Sequence, residues 1–194
     1  MRDVSLYTLM SLDGAVDDPG RYFPETDRPG APVFDDVLAG LESEMIARQD
    51  AVLLGRNMYD EWSQYWPTSD EEPFASFINQ VRKYVVTSTP LMTAWTNAEA
   101  VSSVADVVRD LKAQPGGEIG VHGSIRLAKS MLADGLIDVI HLAVGRVLDP
   151  VGRRLFDEVG DRQLRELVRA VPTPSGSLWL TYRVRPSGTA REGA

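Results

Sequence analysis

The chain has 194 residues, 43% of them hydrophobic, which suits one compact domain with a full core. It contains no cysteine, so disulfides, thiolate catalysis, zinc ribbons and iron–sulfur ligation are excluded, and no metal site is expected. A net charge of −8 argues against a nucleic-acid surface, while the lack of any apolar run near the roughly 18 residues that span a bilayer, or of a signal peptide, leads to the expectation of a cytoplasmic protein without membrane contact.

Strand and helix signals alternate along the chain, the pattern of an α/β domain. Asp3 to Met10 reads as an opening strand, closed by Ser11-Leu12-Asp13-Gly14. Residues 17–32 hold Pro19, Gly20, Pro24, Pro29, Gly30 and Pro32, too many breakers for regular structure, and read as a long lid-like loop. Phe34, Val37, Leu38, Leu41 and Met45 then form the apolar stripe of a helix that leads into strand 50–54. Short helices follow to Trp62 and near Pro73 to Gln80, and Lys83 to Thr87 is a strand. Ser103 and Asp106 make a capping pair for a helix over 103–114, stopped by Pro115-Gly116-Gly117. The helix opened by Ser124 carries Ile125, Ala128, Met131 and Leu132 and ends before Gly135, a left-handed cap. Ile137 to Val147 is a long strand, segments 164–171 and 177–184 form a hairpin, and 186–194 is a polar tail expected to be disordered.

Twice a strand runs straight into glycine and then a helix: Ala51-Val52-Leu53-Leu54 into Gly55-Arg56-Asn57-Met58-Tyr59, and Glu118-Ile119-Gly120-Val121 into His122-Gly123-Ser124-Ile125-Arg126. Glycine at a helix start lets backbone N–H groups approach an anion, and the helix dipole favours negative charge there. Two such junctions point to a pyrophosphate, and Arg56 adds a guanidinium able to fork onto a second phosphate such as the ribose 2′-phosphate of NADP. Either junction alone is equally an ordinary tight turn.

The ordered set Ser11-Leu12-Asp13-Gly14, Leu54-Gly55-Arg56-Asn57-Met58-Tyr59, Tyr65-Trp66-Pro67, Lys83-Tyr84-Val85-Val86-Thr87-Ser88-Thr89, Gly123-Ser124 and Gly135-Leu136-Ile137-Asp138 resembles the dihydrofolate reductase superfamily. More narrowly it is similar to the branch holding the C-terminal reductase domain of bifunctional riboflavin-biosynthesis enzymes and stand-alone dihydrofolate reductase family proteins. The resemblance implies a three-layer α/β fold over residues 1–185, with a mostly parallel twisted sheet, flanking helices and an antiparallel C-terminal strand or hairpin. It implies NADPH as cofactor: Gly55, Arg56 and Asn57 at the pyrophosphate and 2′-phosphate, and Thr87, Ser88 and Thr89 at the same phosphate and the adenine. Gly123, Ser124 and Ile125 then form the second phosphate turn, and Leu9 and Val16 lie at the nicotinamide ring. His122 stands where the family often has glycine, and is either a phosphate donor or a satisfied strand-end histidine. After Asp138, Val139 replaces a frequent Glu, and Pro150 replaces the first glycine of a usual Gly-x-Gly turn.

The substrate half is less specified. Reduction of a C=N bond needs a proton as well as a hydride, and a carboxylate commonly organises that step. At about 100° per residue, Asp35 and Glu42 share one border of the first long helix while Asp36 points away. Asp35, Glu42 and Asp13 are the catalytic candidates, each with a plainer alternative as a solvated flank or turn residue. Trp62, Tyr65 and Trp66 either stack on a flat heterocycle or pack beneath a helix. These features describe an NADPH-dependent reductase of a small heterocyclic substrate, pterin- or folate-like or a ribitylaminopyrimidine. The alternative is a nucleotide-binding protein of the same fold without efficient catalysis. Relatives in this branch are often dimers, and strand 137–147 offers an edge for a homodimer.

Overall fold

In the computed structural model, which describes residues 1–23 and 34–184, strand β1 (Val4–Met10) divides its side chains between two cores. Val4, Leu6 and Met10 enter one apolar cluster, while Tyr7 and Leu9 meet another on the opposite face, as the two-residue period of a strand requires. Around β1 stand β2 (Gln49–Gly55), β3 (Arg82–Val86), β4 (Ala98–Val101), β5 (Glu118–Val121), β6 (Val139–Val144), β7 (Arg165–Pro172) and β8 (Leu178–Val184). Their order is β4-β3-β2-β5-β1-β6-β8-β7. β1 to β6 run parallel, and the β7–β8 hairpin closes one end antiparallel.

The helices are α1 (Pro19–Tyr22), α2 (Asp36–Ile46), α3 (Arg56–Tyr65), α4 (Phe74–Gln80), α5 (Val104–Lys112) and α6 (Ile125–Ala133). α5 and α6 cover one face of the sheet through Val108, Leu111, Leu127 and Met131. α2 covers the other with Leu38, Leu41 and Met45 against Tyr7, Ala143 and Trp179. Beside it, Tyr59 of α3 and Ile78 of α4 pack on Val52, Leu54 and Val85. The result is the three-layer fold expected from the sequence, with a parallel sheet between helical layers. Among the described residues no helix is long and apolar enough to cross a membrane.

Four details differ from the sequence reading. Residues 19–22 form the short helix α1 despite their breakers, because Pro at the first helical turn gives up an N–H that has no intrahelical partner anyway. β4 carries no strong apolar alternation because it is a short edge strand with Glu99 and Ala100 exposed, and it is held by backbone pairing to β3. β6 is shorter than 137–147 and lies between β1 and β8, so it offers no free edge. That edge belongs to β7, where Leu167 and Val168 are 52% and 59% exposed. Residues 24–32 of the expected lid and the expected tail at 186–194 lie outside the described residues.

One buried cation is structural. Lys83 on β3 is fully buried, and its Nζ donates to the carbonyls of Ile78 and Val81 at 2.7 and 2.8 Å at the C-terminal end of α4. It satisfies carbonyls that a helix end leaves without intrahelical partners.

Candidate active site

β2 and β5 are neighbours, so both strand–glycine–helix junctions arrive side by side at the carboxyl edge of the sheet. The Gly55 N–H donates to the Gly123 carbonyl at 2.9 Å. A β-carbon on Gly55 would stand 2.3 Å from the Ser124 hydroxyl, and Gly123 sits at φ +131°; glycine is required at both for different reasons, space at one and backbone conformation at the other. Gly55 caps α3, and Ser124 caps α6 without a side-chain capping bond. The first turns of α3 and α6 therefore begin side by side, the arrangement of an anion site at the carboxyl ends of parallel strands. Ile125 turns into the core beneath this turn, and Asn57 is exposed on α3.

Arg56 and the β3 end meet as the sequence suggests. Arg56 Nη1 donates to Thr89 Oγ1 at 2.7 Å and to the Pro90 carbonyl at 2.8 Å, and Thr87 Oγ1 accepts from the Thr89 N–H at 3.2 Å. Ser88 is exposed beside them. A residue not singled out in the sequence, Asp60, accepts from Arg56 Nε through both oxygens at 2.8 Å. The i,i+4 spacing on α3 was the available signal for that pair. Among the described residues Arg56 Nη2 donates to no acceptor, leaving two N–H donors of the guanidinium uncommitted. The backbone amides, the Ser124 hydroxyl and this guanidinium form a donor set that fits the phosphates of a dinucleotide.

Leu9 and Val16 pack into different clusters, on opposite faces of the sheet. The loop after β1 is pinned to segment 147–154. Asp13 accepts from the Ser11 hydroxyl at 2.7 Å, from the Asp149 N–H at 2.9 Å and from Arg154 Nη2 at 2.9 Å. These donors hold its carboxyl down to about 2. Asp13 is thus a loop clamp with no proton to give, a correction to its place among the catalytic candidates. Asp35 is corrected likewise: it caps α2 by accepting from the Leu38 N–H at 2.9 Å, and its other oxygen accepts from the Ser175 N–H at 2.9 Å. Partial burial pushes its carboxyl up, but those N–H groups with the Thr173 and Ser175 hydroxyls outweigh it and hold it well below the usual range.

Glu42 is different. It lies on α2 beside Tyr7 of β1, in a buried polar seam, and is only 9% exposed. Burial, first of all, pushes its carboxyl up to about 7, with nearby Glu71 adding to the effect and Tyr7 opposing it. Tyr7 on β1 is buried beside Glu42, near enough for each to shift the other, yet its hydroxyl makes no hydrogen bond of good geometry among the described residues. Just past the end of β5, His122 turns away from the phosphate turn. Its Nε2 pairs with Gln49 Oε1 at 2.7 Å, in space that the missing side chain of Gly120 leaves open. Burial drives the His122 ring down to about 3, so it is a neutral, satisfied strand-end histidine and not a phosphate donor. Phe74 and Phe77 of α4 wall the seam, their rings 5.5 and 5.9 Å from His122. Trp62, Tyr65 and Trp66 pack edge to face on one another and on Phe74, the plainer of their two readings. Tyr7, Gln49 and Glu71 were missed in the sequence; the signal was Tyr7 sharing the parity of Ser5 on β1, a polar face where an apolar one is usual.

Comparison with known proteins decides the family. The model of the RibD C-terminal domain matches residues 2–178. The chain belongs to the RibD C-terminal domain family. A curated relative, the uncharacterized protein YyaP of Bacillus subtilis, is 25% identical over 144 residues, 72% of this chain and 77% of its own. Among solved structures, a Shewanella sp. PV-4 protein named for riboflavin biosynthesis is 19% identical, with TM-score 0.70 over 95% of this chain and 99% of that one. The Thermotoga maritima diaminohydroxyphosphoribosylaminopyrimidine deaminase/5-amino-6-(5-phosphoribosylamino)uracil reductase is 18% identical with TM-score 0.65 over 95% of this chain, which spans 57% of that longer protein. Enterococcus faecalis dihydrofolate reductase, complexed with NADP(H) and RAB-propyl, is 14% identical with TM-score 0.61 over 93% of this chain and 95% of that one. These solved structures and the chain share one fold.

Proposed function

We propose that the chain is an NADPH-dependent reductase that adds a hydride and a proton across a C=N bond of a small, flat nitrogen heterocycle of pyrimidine or pterin type. One observation carries this reading: the segment His122-Gly123, just past the end of β5, joins the surroundings of a buried, protonatable carboxyl to the anion cradle. The His122 ring stands edge-on to Tyr7, the neighbour of Glu42, at 6.0 Å, and Gly123 opens the turn that meets the Gly55 N–H at the start of α3. Bound NADPH supplies the hydride. The first turns of α3 and α6 hold its pyrophosphate, and Arg56 with Thr89 holds the 2′-phosphate. Glu42 gives its proton to the ring nitrogen, which its raised pKa allows near neutral pH. Phe74 and Phe77 cover the ring and exclude water from the seam.

The test is NADPH oxidation by the purified protein with a panel of pyrimidines and pterins. Glu42→Gln lowers turnover by about 10²- to 10⁴-fold, the usual contribution of a positioned acid, and leaves NADPH affinity unchanged. Wild-type kcat is level at acid pH and falls as pH rises through about 7, where Glu42 loses its proton. Tight NADPH binding with no turnover on any compound overturns the reductase and leaves a nucleotide-binding protein.

A further inference from the structure

The Tyr7 phenol is held in place by rings, with Trp179 at 5.6 Å and His122 edge-on at 6.0 Å. Its hydroxyl is nevertheless buried without a formed hydrogen bond among the described residues, an arrangement that costs free energy unless another state satisfies it. Of the nitrogens around it, His122 Nε2 is engaged by Gln49, while His141, the residue paired with Tyr7 on β6, turns its Nδ1 to Thr181 at 3.1 Å and leaves its own buried Nε2 without a partner among the described residues. The Glu42 carboxyl beside it gains acceptor capacity when it ionises.

We propose that Tyr7 is the positioning residue of the proton-donating carboxyl: its hydroxyl closes onto Glu42 as the carboxylate forms, and so stabilises the acid in the state that follows proton transfer. This rests on the reductase reading above. Glu42 gives its proton to the ring nitrogen and recovers one from solvent after release; the cofactor held at the glycine junctions would supply the hydride that balances the reduction. Tyr7 keeps its own proton throughout, since burial and the neighbouring Glu42 hold the phenol well above its ordinary range. The ionisable groups that face Glu42 are Tyr7 from β1 and Glu71 from the segment ahead of α4. His122 and His141, on either side of Tyr7, are both held neutral by burial.

Tyr7→Phe keeps the ring packing and deletes the donor. Two readouts separate this proposal from the reading beneath it. The first is the titration of the ¹³C-labelled Glu42 carboxyl by NMR in the ligand-free protein, with Glu42→Gln assigning the signal. Its midpoint rises by about one unit in Tyr7→Phe, the size of a net hydrogen bond. The second is turnover: the kcat plateau falls roughly tenfold, the alkaline limb moves up with the NMR midpoint, and NADPH affinity is unchanged. Replacing Tyr7 by 3,5-difluorotyrosine strengthens the donor and moves the midpoint down, a check that does not depend on deleting a buried group. An unmoved midpoint in an active enzyme overturns the role of Tyr7 alone. A shifted midpoint in a protein that reduces nothing overturns the catalytic role of both residues.

Discussion

Arg56 Nη1 donates to the Thr89 hydroxyl at 2.7 Å, joining the first turn of α3 to the loop after β3. The contact gathers a cation and hydroxyls where a ribose 2′-phosphate would be recognised, with Asp60 fixing the opposite edge of the guanidinium. A charged hydrogen bond contributes about 1.5–3 kcal/mol, so Arg56→Ala weakens NADPH by roughly 10- to 150-fold and leaves NADH nearly untouched. Asp60→Asn has the opposite sign, because it removes an anion next to the phosphate. Calorimetric titration with both cofactors measures this; equal losses for NADPH and NADH would remove Arg56 from the 2′-phosphate.

Gly123 tests the cradle. Its φ of +131° disfavours any side chain, and a β-carbon there would lie 2.5 Å from Met58 Cε. Gly123→Val therefore abolishes cofactor binding while circular dichroism still shows the folded α/β signal. A folded variant with parental affinity makes Gly123 a structural turn only.

Asp35, the N-cap of α2, and Glu42 within it should respond to pH in opposite directions. Asp35 has a depressed folded pKa, so its contribution is present above its unfolded value and is lost as pH falls toward the folded one. Asp35→Ala costs about 0.5–2 kcal/mol as a lost helix cap and leaves the pH profile of turnover in place. Glu42 has a raised folded pKa, so the native state binds the extra proton between its ordinary carboxylate range and about 7, and stability falls as pH rises across that window. Urea denaturation at pH 5 and pH 8 shows this decline in the wild type and a smaller one in Glu42→Gln. An identical decline in the variant would mean that Glu42 ionises freely.

For the homodimer expected from the sequence we propose the free edge of β7 as the surface. Leu164, Leu167 and Val168 are 72%, 52% and 59% exposed there. A second copy of β7 laid antiparallel about the Leu167–Val168 centre sets Glu166 opposite Arg169, a self-complementary pairing that suits a two-fold axis. Sedimentation should give a dimer for the wild type and a folded monomer for Leu167→Asp. A monomeric wild type at tens of micromolar overturns this surface.

Much of the fold was legible because its signals are local. The Ser103 cap, the left-handed Gly135 and both glycine junctions each depend on residues close in sequence. β4 was silent because an exposed edge strand has no buried face to mark it. The cofactor half of the site was legible for the same local reason, whereas the substrate half depends on register. Tyr7 meets Glu42 only once β1 lies under α2, and Asp35 shows itself as a cap only when Ser175 arrives from the far hairpin. Candidate acids equal in sequence were separated by burial, which no spacing reports.

Lys83 has a consequence for motion at the seam. The C-terminal carbonyls of α4 are gripped by a buried ammonium, whereas its first turn, near Phe74, is held from the surface by the exposed Glu72 carboxylate, which accepts from the Ser76 N–H at 3.2 Å. The aromatic wall over Glu42 is therefore a door with its hinge indoors, at Ile78 and Val81, and its latch outside. A flat ring that enters behind it has to release only that surface latch, and the strands behind can stay still.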